Sequence, residues 1–170
     1  MNLIFDLAAH AILKNNEFVL QWNKLLSNCR YATAFQEQAF VCSWYEAYRD
    51  KWKPVIVSSE NSSGELTGLL LLAYDPNARE LVHAGSSQAE YHSWICLPGE
   101  EIAYISDAFR ELLNRFDFKK LRFRYFPAVE MLEEVFAKLP IKDRIEIRRR
   151  PRPLMILNAE EIKASFAKKS

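Results

Sequence analysis

Glycine is scarce in this chain: four residues in 170, where average usage would give roughly 12. Together with only seven prolines, that leaves no Gly- or Pro-rich linker and no low-complexity tract, and it excludes a collagen-like or disordered protein. Cysteine is equally sparse. Cys29, Cys42 and Cys96 are odd in number, widely spaced and without a Cys-x-x-Cys, which argues against a disulfide framework or a zinc site and leaves a buried thiol as the expected fate of each. Long apolar runs are missing too. The longest, Leu69 to Ala73, is far short of the roughly 20 residues a bilayer-spanning helix needs. The opening MNLIFDLAAHAILKNN has no basic leading region, carries Asp6 and His10 inside its apolar stretch and lacks a small-residue cleavage site, so it makes a poor signal peptide; the cytoplasm is the expected location.

What the chain does have is hydrophobic substance, at 49% of residues with 13% aromatic, in a length of about one domain. Its net charge of +1 conceals a division. Up to Phe118 there are 9 Lys or Arg against 15 Asp or Glu; beyond it there are 14 against 7. The densest basic stretch is RIEIRRRPRP, Arg144 to Pro153. Such a cluster can meet phosphates or acidic surfaces. Ile145 and Ile147 nevertheless alternate with charged residues in the period of a half-buried strand, so a solvated strand face is the simpler reading and a nucleic-acid partner is not expected.

Periodicity divides the chain into elements. Leu3 to Phe5 reads as a strand, and Asn15 or Asn16 caps an amphipathic helix, Glu17 to Ser27, with Phe18, Val19, Trp22, Leu25 and Leu26 on one face. A second helix is predicted over Ala34 to Trp52, where Phe40, Val41, Trp44, Tyr45 and Tyr48 recur at three and four residues. Pro54 to Ser58 and Leu66 to Tyr74 flank a polar Gly-containing turn as a hairpin, and Glu80 to His83 follows as a third antiparallel strand. Ala84 to Glu101 has neither period and ends in Pro98 and Gly99. It reads as a long loop, and long loops often carry function. Glu100 and Glu101 suit the first turn of a helix running to about Arg115. Lys119 to Phe126 then reads as a strand, Ala128 to Lys138 as a helix, Asp143 to Arg150 and Pro153 to Leu157 as strands broken at Pro151, and Ala159 to Lys169 as a last helix capped by Asn158.

This order (strand, two helices, three antiparallel strands, helix, strand, helix, two strands) resembles that of the GNAT acyltransferase fold, an α/β class with a mixed, mostly antiparallel central sheet flanked by helices. ATAFQEQAFVCSWYEAY, the hairpin after it and LVHAGSSQAEYHSWICLPGEE further resemble the amino-terminal part of the cellulose-biosynthesis (CelD-like) branch of acyl-CoA N-acyltransferases. The residues carrying that resemblance are Phe35, Gln36, Trp44, Tyr91, Pro98 and Gly99. It implies a GNAT-like domain over 1–157 and, over 158–170, the start of a helix leading to a second GNAT-like half absent from this chain. It also implies an activity for the complete enzyme: transfer of an acyl group from acyl-CoA to an amine or hydroxyl of a sugar or cell-envelope precursor.

One departure from the family pattern bears on the cofactor. A GNAT domain that binds acyl-CoA follows its fourth strand with Arg or Gln and a Gly-rich turn, so that bare backbone amides can approach the pyrophosphate. Here Gln88, Ala89, Glu90, Tyr91 and His92 stand in that place, and Glu90, Glu100 and Glu101 would repel a pyrophosphate. This chain is therefore expected to hold no cofactor and to be inactive alone. The final helix would leave Ile162 and Phe166 uncovered, so self-association is a further expectation. The alternative function is a non-catalytic binding or assembly module using the basic strand around Arg148, Arg149, Arg150 and Arg152 to contact an acidic partner or nucleic acid.

Candidate chemistry concentrates in the long loop. His92 and Cys96 are four apart beside Glu90, but a Cys-His pair at that spacing needs a helix where the sequence reads as loop. Ser86 or Ser87 with His83 and Glu90 lacks the Gly-x-Ser-x-Gly elbow that exposes a nucleophilic hydroxyl. His83, Glu90 and His92 as metal ligands have no helical His-x-x-x-His and no thiolate support. There remain Glu90, Tyr91, His92 and Trp94, an acid, an imidazole and two amphipathic rings in one loop, as candidate acceptor-binding residues. The residues themselves assign no catalytic role.

Overall fold

A computed structural model describes residues 1–124 together with Glu134. The end of the strand expected at 119–126, the elements expected at 128–138, 143–150, 153–157 and 159–169, the basic stretch Arg144 to Pro153 and the division at 157 lie outside the described residues.

Strand β1 (Asn2–Phe5) passes without a linker into helix α1 (Asp6–Ile12). The corner is made at Asp6, which sits in the left-handed region at φ 50°, a conformation an Asp tolerates better than most residues. Helix α2 (Asn16–Asn28) starts where Asn15 accepts the Phe18 N–H in its side chain, a cap that satisfies one of the otherwise orphaned first-turn donors. The single helix expected over 34–52 is shorter and interrupted. Thr33 and Gln36 form a reciprocal capping box around a 3₁₀ turn (Ala34–Gln36), Glu37 is extended at ψ 144°, and only then does α3 (Gln38–Ala47) begin. It ends as the Tyr48 and Trp52 amides both reach back, to the Trp44 and Tyr48 carbonyls, folding buried Trp52 against the Trp44 ring.

Three strands form a meander: β2 (Lys53–Glu60), β3 (Leu66–Asp75) and β4 (Glu80–His83). The loop that follows contains a two-residue strand, β5 (Ile95–Cys96), before α4 (Glu101–Arg115) crosses over to β6 (Lys120–Arg122). Among the described residues the sheet order is β1-β2-β3-β4-β6, antiparallel except for the β4–β6 pair, which is parallel; β5 pairs antiparallel with β3 beside the end of β4. The fold class is thus α/β with a mixed, mostly antiparallel sheet flanked by helices, as the sequence predicts.

Both faces of the sheet are covered. Along β3, Leu69, Leu71 and Ala73 point into a core with Trp22, Trp44, Tyr45 and Trp52 from the α1–α3 side, while Leu70 and Leu72 point into a second core with Tyr104, Ile105, Phe109 and Leu112 of α4. A strand buried on both sides must be apolar at every position, which is the physical cause of the run Leu69 to Ala73. Gly68 makes room for a ring of α4: a Cβ there would clash with the Tyr104 ring, and the Tyr104 hydroxyl is anchored to the Val57 carbonyl at 2.8 Å.

Candidate functional site

The loop between β4 and α4 begins with a tight turn. Gly85, at φ 102°, has no room for a side chain, because a Cβ would lie 2.6 Å from Ala89 and 2.8 Å from the Phe40 ring. The Ser86, Gln88 and Ala89 amides donate to the His83 and Gly85 carbonyls. Three of the backbone donors that follow β4 are therefore spent within the turn.

The aromatic helix and the loop, far apart in sequence, meet here. Trp44 donates its indole N–H to Gln88 Oε1 at 3.2 Å, and Phe35 packs against Tyr91 with ring centroids 6.4 Å apart. Buried Gln36 donates from Nε2 to the Tyr91 carbonyl at 3.0 Å; its Oε1 accepts from Thr33, and its own carbonyl takes the Trp22 indole N–H. Pro98 and Gly99, the latter at φ 88°, then turn the chain into α4, with the Glu100 amide donating to the Leu97 carbonyl. Glu100 and Glu101 stand at the helix start, where negative charge is favoured.

The four candidate residues do not share one surface. Glu90 is exposed and Tyr91 half-buried, whereas His92 and Trp94 are buried. His92 has both ring nitrogens engaged: Nδ1 accepts the Arg124 N–H at 2.9 Å and Nε2 donates to the Ser86 carbonyl at 2.8 Å. Burial pushes its pKa down to about 4, the hydrogen bond to Ser86 opposing and the positive Arg124 adding to the shift. Trp94 packs edge-on against Tyr31, ring centroids 6.4 Å apart, and belongs to the α4-side core.

His83 faces His92 in a near-parallel stack, centroids 4.8 Å apart. It donates from Nε2 to the Ser93 carbonyl at 2.9 Å, and burial followed by the neighbouring imidazole lowers its pKa to about 3. Cys96 is engaged away from His92, its sulfur 3.1 Å from the Tyr31 hydroxyl, and burial pushes the thiol up to about 12. No thiolate is ready for nucleophilic attack there. Among the described residues, no three His, Cys, Asp or Glu side chains gather as a metal site, and no helix is long and apolar enough to cross a membrane.

The three cysteines are free; Cys29 and Cys96 are buried, while Cys42 is only partly buried. It lies on the wall of a cavity of about 360 Å³ between the first three helices, with His10, Lys14, Gln38, Tyr45 and Glu46 among the lining residues. Sequence reasoning missed this cavity, because its walls come from three separate helices and follow no motif.

No protein-family model matches the chain, and no curated protein does. Among solved structures, it is similar to a spermidine N-acetyltransferase, a chimera of SpeG from Vibrio cholerae and hSSAT, at 19% identity over 79% of this chain and 80% of that one, with a TM-score of 0.43. Among the described residues, the class is an α/β domain built on a six-stranded sheet whose one parallel pair, β4 and β6, is joined through α4.

Proposed function

We propose that this chain is an acyltransferase domain of the GNAT type, the amino-terminal half of a CelD-like enzyme that moves an acyl group from acyl-CoA to an amine or hydroxyl of a sugar or cell-envelope precursor. The observation supporting this reading is topological. An antiparallel meander β2–β3–β4 is followed by a helical crossover to a strand parallel to β4, in the element order of the resemblance, and the aromatic segment around Phe35, Gln36 and Trp44 converges on the loop carrying Tyr91.

In this reading the accessible part of the loop faces the acceptor. Glu90 presents a carboxylate that attracts a cationic amine, and Tyr91 a half-buried phenol held on a fixed backbone. His92 and Trp94 support that surface from behind. The residues after β4 do not fit the acyl-CoA pyrophosphate: three turn amides are consumed internally, and acidic side chains border the loop. This reading accordingly places the cofactor in the second GNAT-like half that the resemblance implies, and expects no activity from this chain alone.

The test is a calorimetric titration of the chain with acetyl-CoA, paired with an assay for released CoA thiol using amino-sugar and hydroxyl acceptors. We expect no turnover and no dissociation constant at or below about 10 μM. The same assay on a chain carrying a second GNAT-like half should show turnover, lowered by Tyr91→Ala without loss of thermal stability. Tight acetyl-CoA binding to this chain alone would overturn the cofactor assignment. Absence of thiol release from the two-half protein would overturn the acyltransferase reading.

A further inference from the structure

Beyond Val82 and Arg122 the register of β4 and β6 stops, and the loop takes over as partner to the β6 side. The His92 N–H donates to the Arg124 carbonyl at 3.1 Å, and the Arg124 N–H donates to His92 Nδ1. Because Nδ1 accepts, the ring proton must sit on Nε2, where it meets the Ser86 carbonyl. The residues on either side are held as well. The Tyr91 carbonyl is bonded by Gln36 and the Ser93 carbonyl by His83, so three consecutive loop residues are tied to three different parts of the fold.

We infer that the stacked pair His83 and His92 is an acid-labile latch, which holds the loop Gly85 to Trp94 against the chain leaving β6 only while both imidazoles are neutral. A proton on His92 Nδ1 would set one donor against another, the Arg124 N–H, and break the bond between loop and strand. A proton on His83 Nδ1, which is buried and has no hydrogen-bond partner among the described residues, would sit in a desolvated interior, a cost that outweighs the favourable Ala84 and Ser93 backbone contacts. Either charge would face the other ring across 4.8 Å. Among the described residues, the ionisable groups acting on the pair are the two rings and Arg124, all of positive sign when charged, and the Phe123 ring packs on His83 at 6.3 Å.

The direction of the pH effect follows. An unfolded imidazole takes its proton near pH 6.5, whereas these two resist until about 4 and about 3. Between those limits the open form binds more protons, so the latch contributes fully above about pH 6.5, weakens as the pH falls, and is lost below the folded values.

Amide hydrogen exchange of the full chain from pH 7 to pH 3 tests this, with the β2 and β3 amides as internal reference. Imidazole nitrogen NMR at pH 7 should show His92 as the Nε2–H tautomer. Protection of the Arg124 and His92 amides should fall at least tenfold relative to the reference amides between pH 5 and pH 3, before the sheet opens. In His92→Gln, Arg124 protection should be low at every pH while the reference amides stay protected. Simultaneous loss of protection in loop and sheet, or an Nδ1–H or doubly protonated His92 at pH 7, overturns the inference. The tautomer measurement on the native protein decides even where the variant fails to fold.

Discussion

Strand β3 and the loop from Ala84 to Trp94 touch the same two cores, yet they are held by different physics. In β3 every residue but Tyr74 is buried, and what holds it is apolar area on two faces plus a backbone ladder to β2 that runs in register from Gly68 to Tyr74. The loop buries Ala84, Gly85, Ala89, His92, Ser93 and Trp94, and it is fixed by directed bonds from Gln36, Trp44, His83 and Arg124. Apolar burial is forgiving of direction and scales with area; a buried polar network depends on every partner being present. The loop can be as ordered as the strand while being far more specific in what it tolerates.

That contrast ranks the expected effects of substitution. Leu70→Ala in β3 empties fully buried volume against α4 and should cost the most, about 2–5 kcal/mol of unfolding free energy in a denaturant titration. A loss below about 1 kcal/mol would mean that α4 collapses onto the gap. Gln36→Leu preserves much of the volume but strands the Tyr91 carbonyl and the Thr33 amide, and should cost about 1–3 kcal/mol. Its effect should concentrate in the loop, seen as faster exchange at His92 than in β3; uniform acceleration would erase the distinction drawn above. Arg49→Ala removes an exposed partner of Glu46, belongs to neither system, and should change stability by no more than about 0.5 kcal/mol.

The same contrast explains what could be read in advance. The paired faces of β3, the stripe of α2 and the apolar face of α4 all follow from residue spacing, and the meander and the strand after α4 appeared where expected. Helix α1 did not: Leu7 is 80% exposed and only Ala9 is buried within the helix, so there was no stripe to see. β5 is two residues long, too short for any period to register. In the loop, composition drew attention to Glu90, Tyr91, His92 and Trp94, but composition cannot say which side chains face inward. His92 went inward because the Arg124 amide and the Ser86 carbonyl each needed a partner, and those lie 32 and 6 residues away. The weight carried by Gln36 was invisible for the same reason, its Tyr91 contact spanning 55 residues.

The pairing of β1 with β2 bears on the order in which the chain assembles. β2 and β3 are neighbours in sequence, closed across Glu60 and Leu66, whereas Phe5 must find Val55 across α1, α2 and α3. Closing a segment of about 50 residues rather than about 5 costs roughly 2 kcal/mol more in chain entropy. Among the described residues, β1 also has only one neighbour in the sheet to repay it. The meander is thus the economical nucleus, with β1 and α1 joining once the three aromatic-rich segments have gathered on their face of the sheet. In a kinetic experiment, Ile4→Val should speed unfolding while leaving the folding rate nearly untouched, the signature of a strand that arrives late and leaves first.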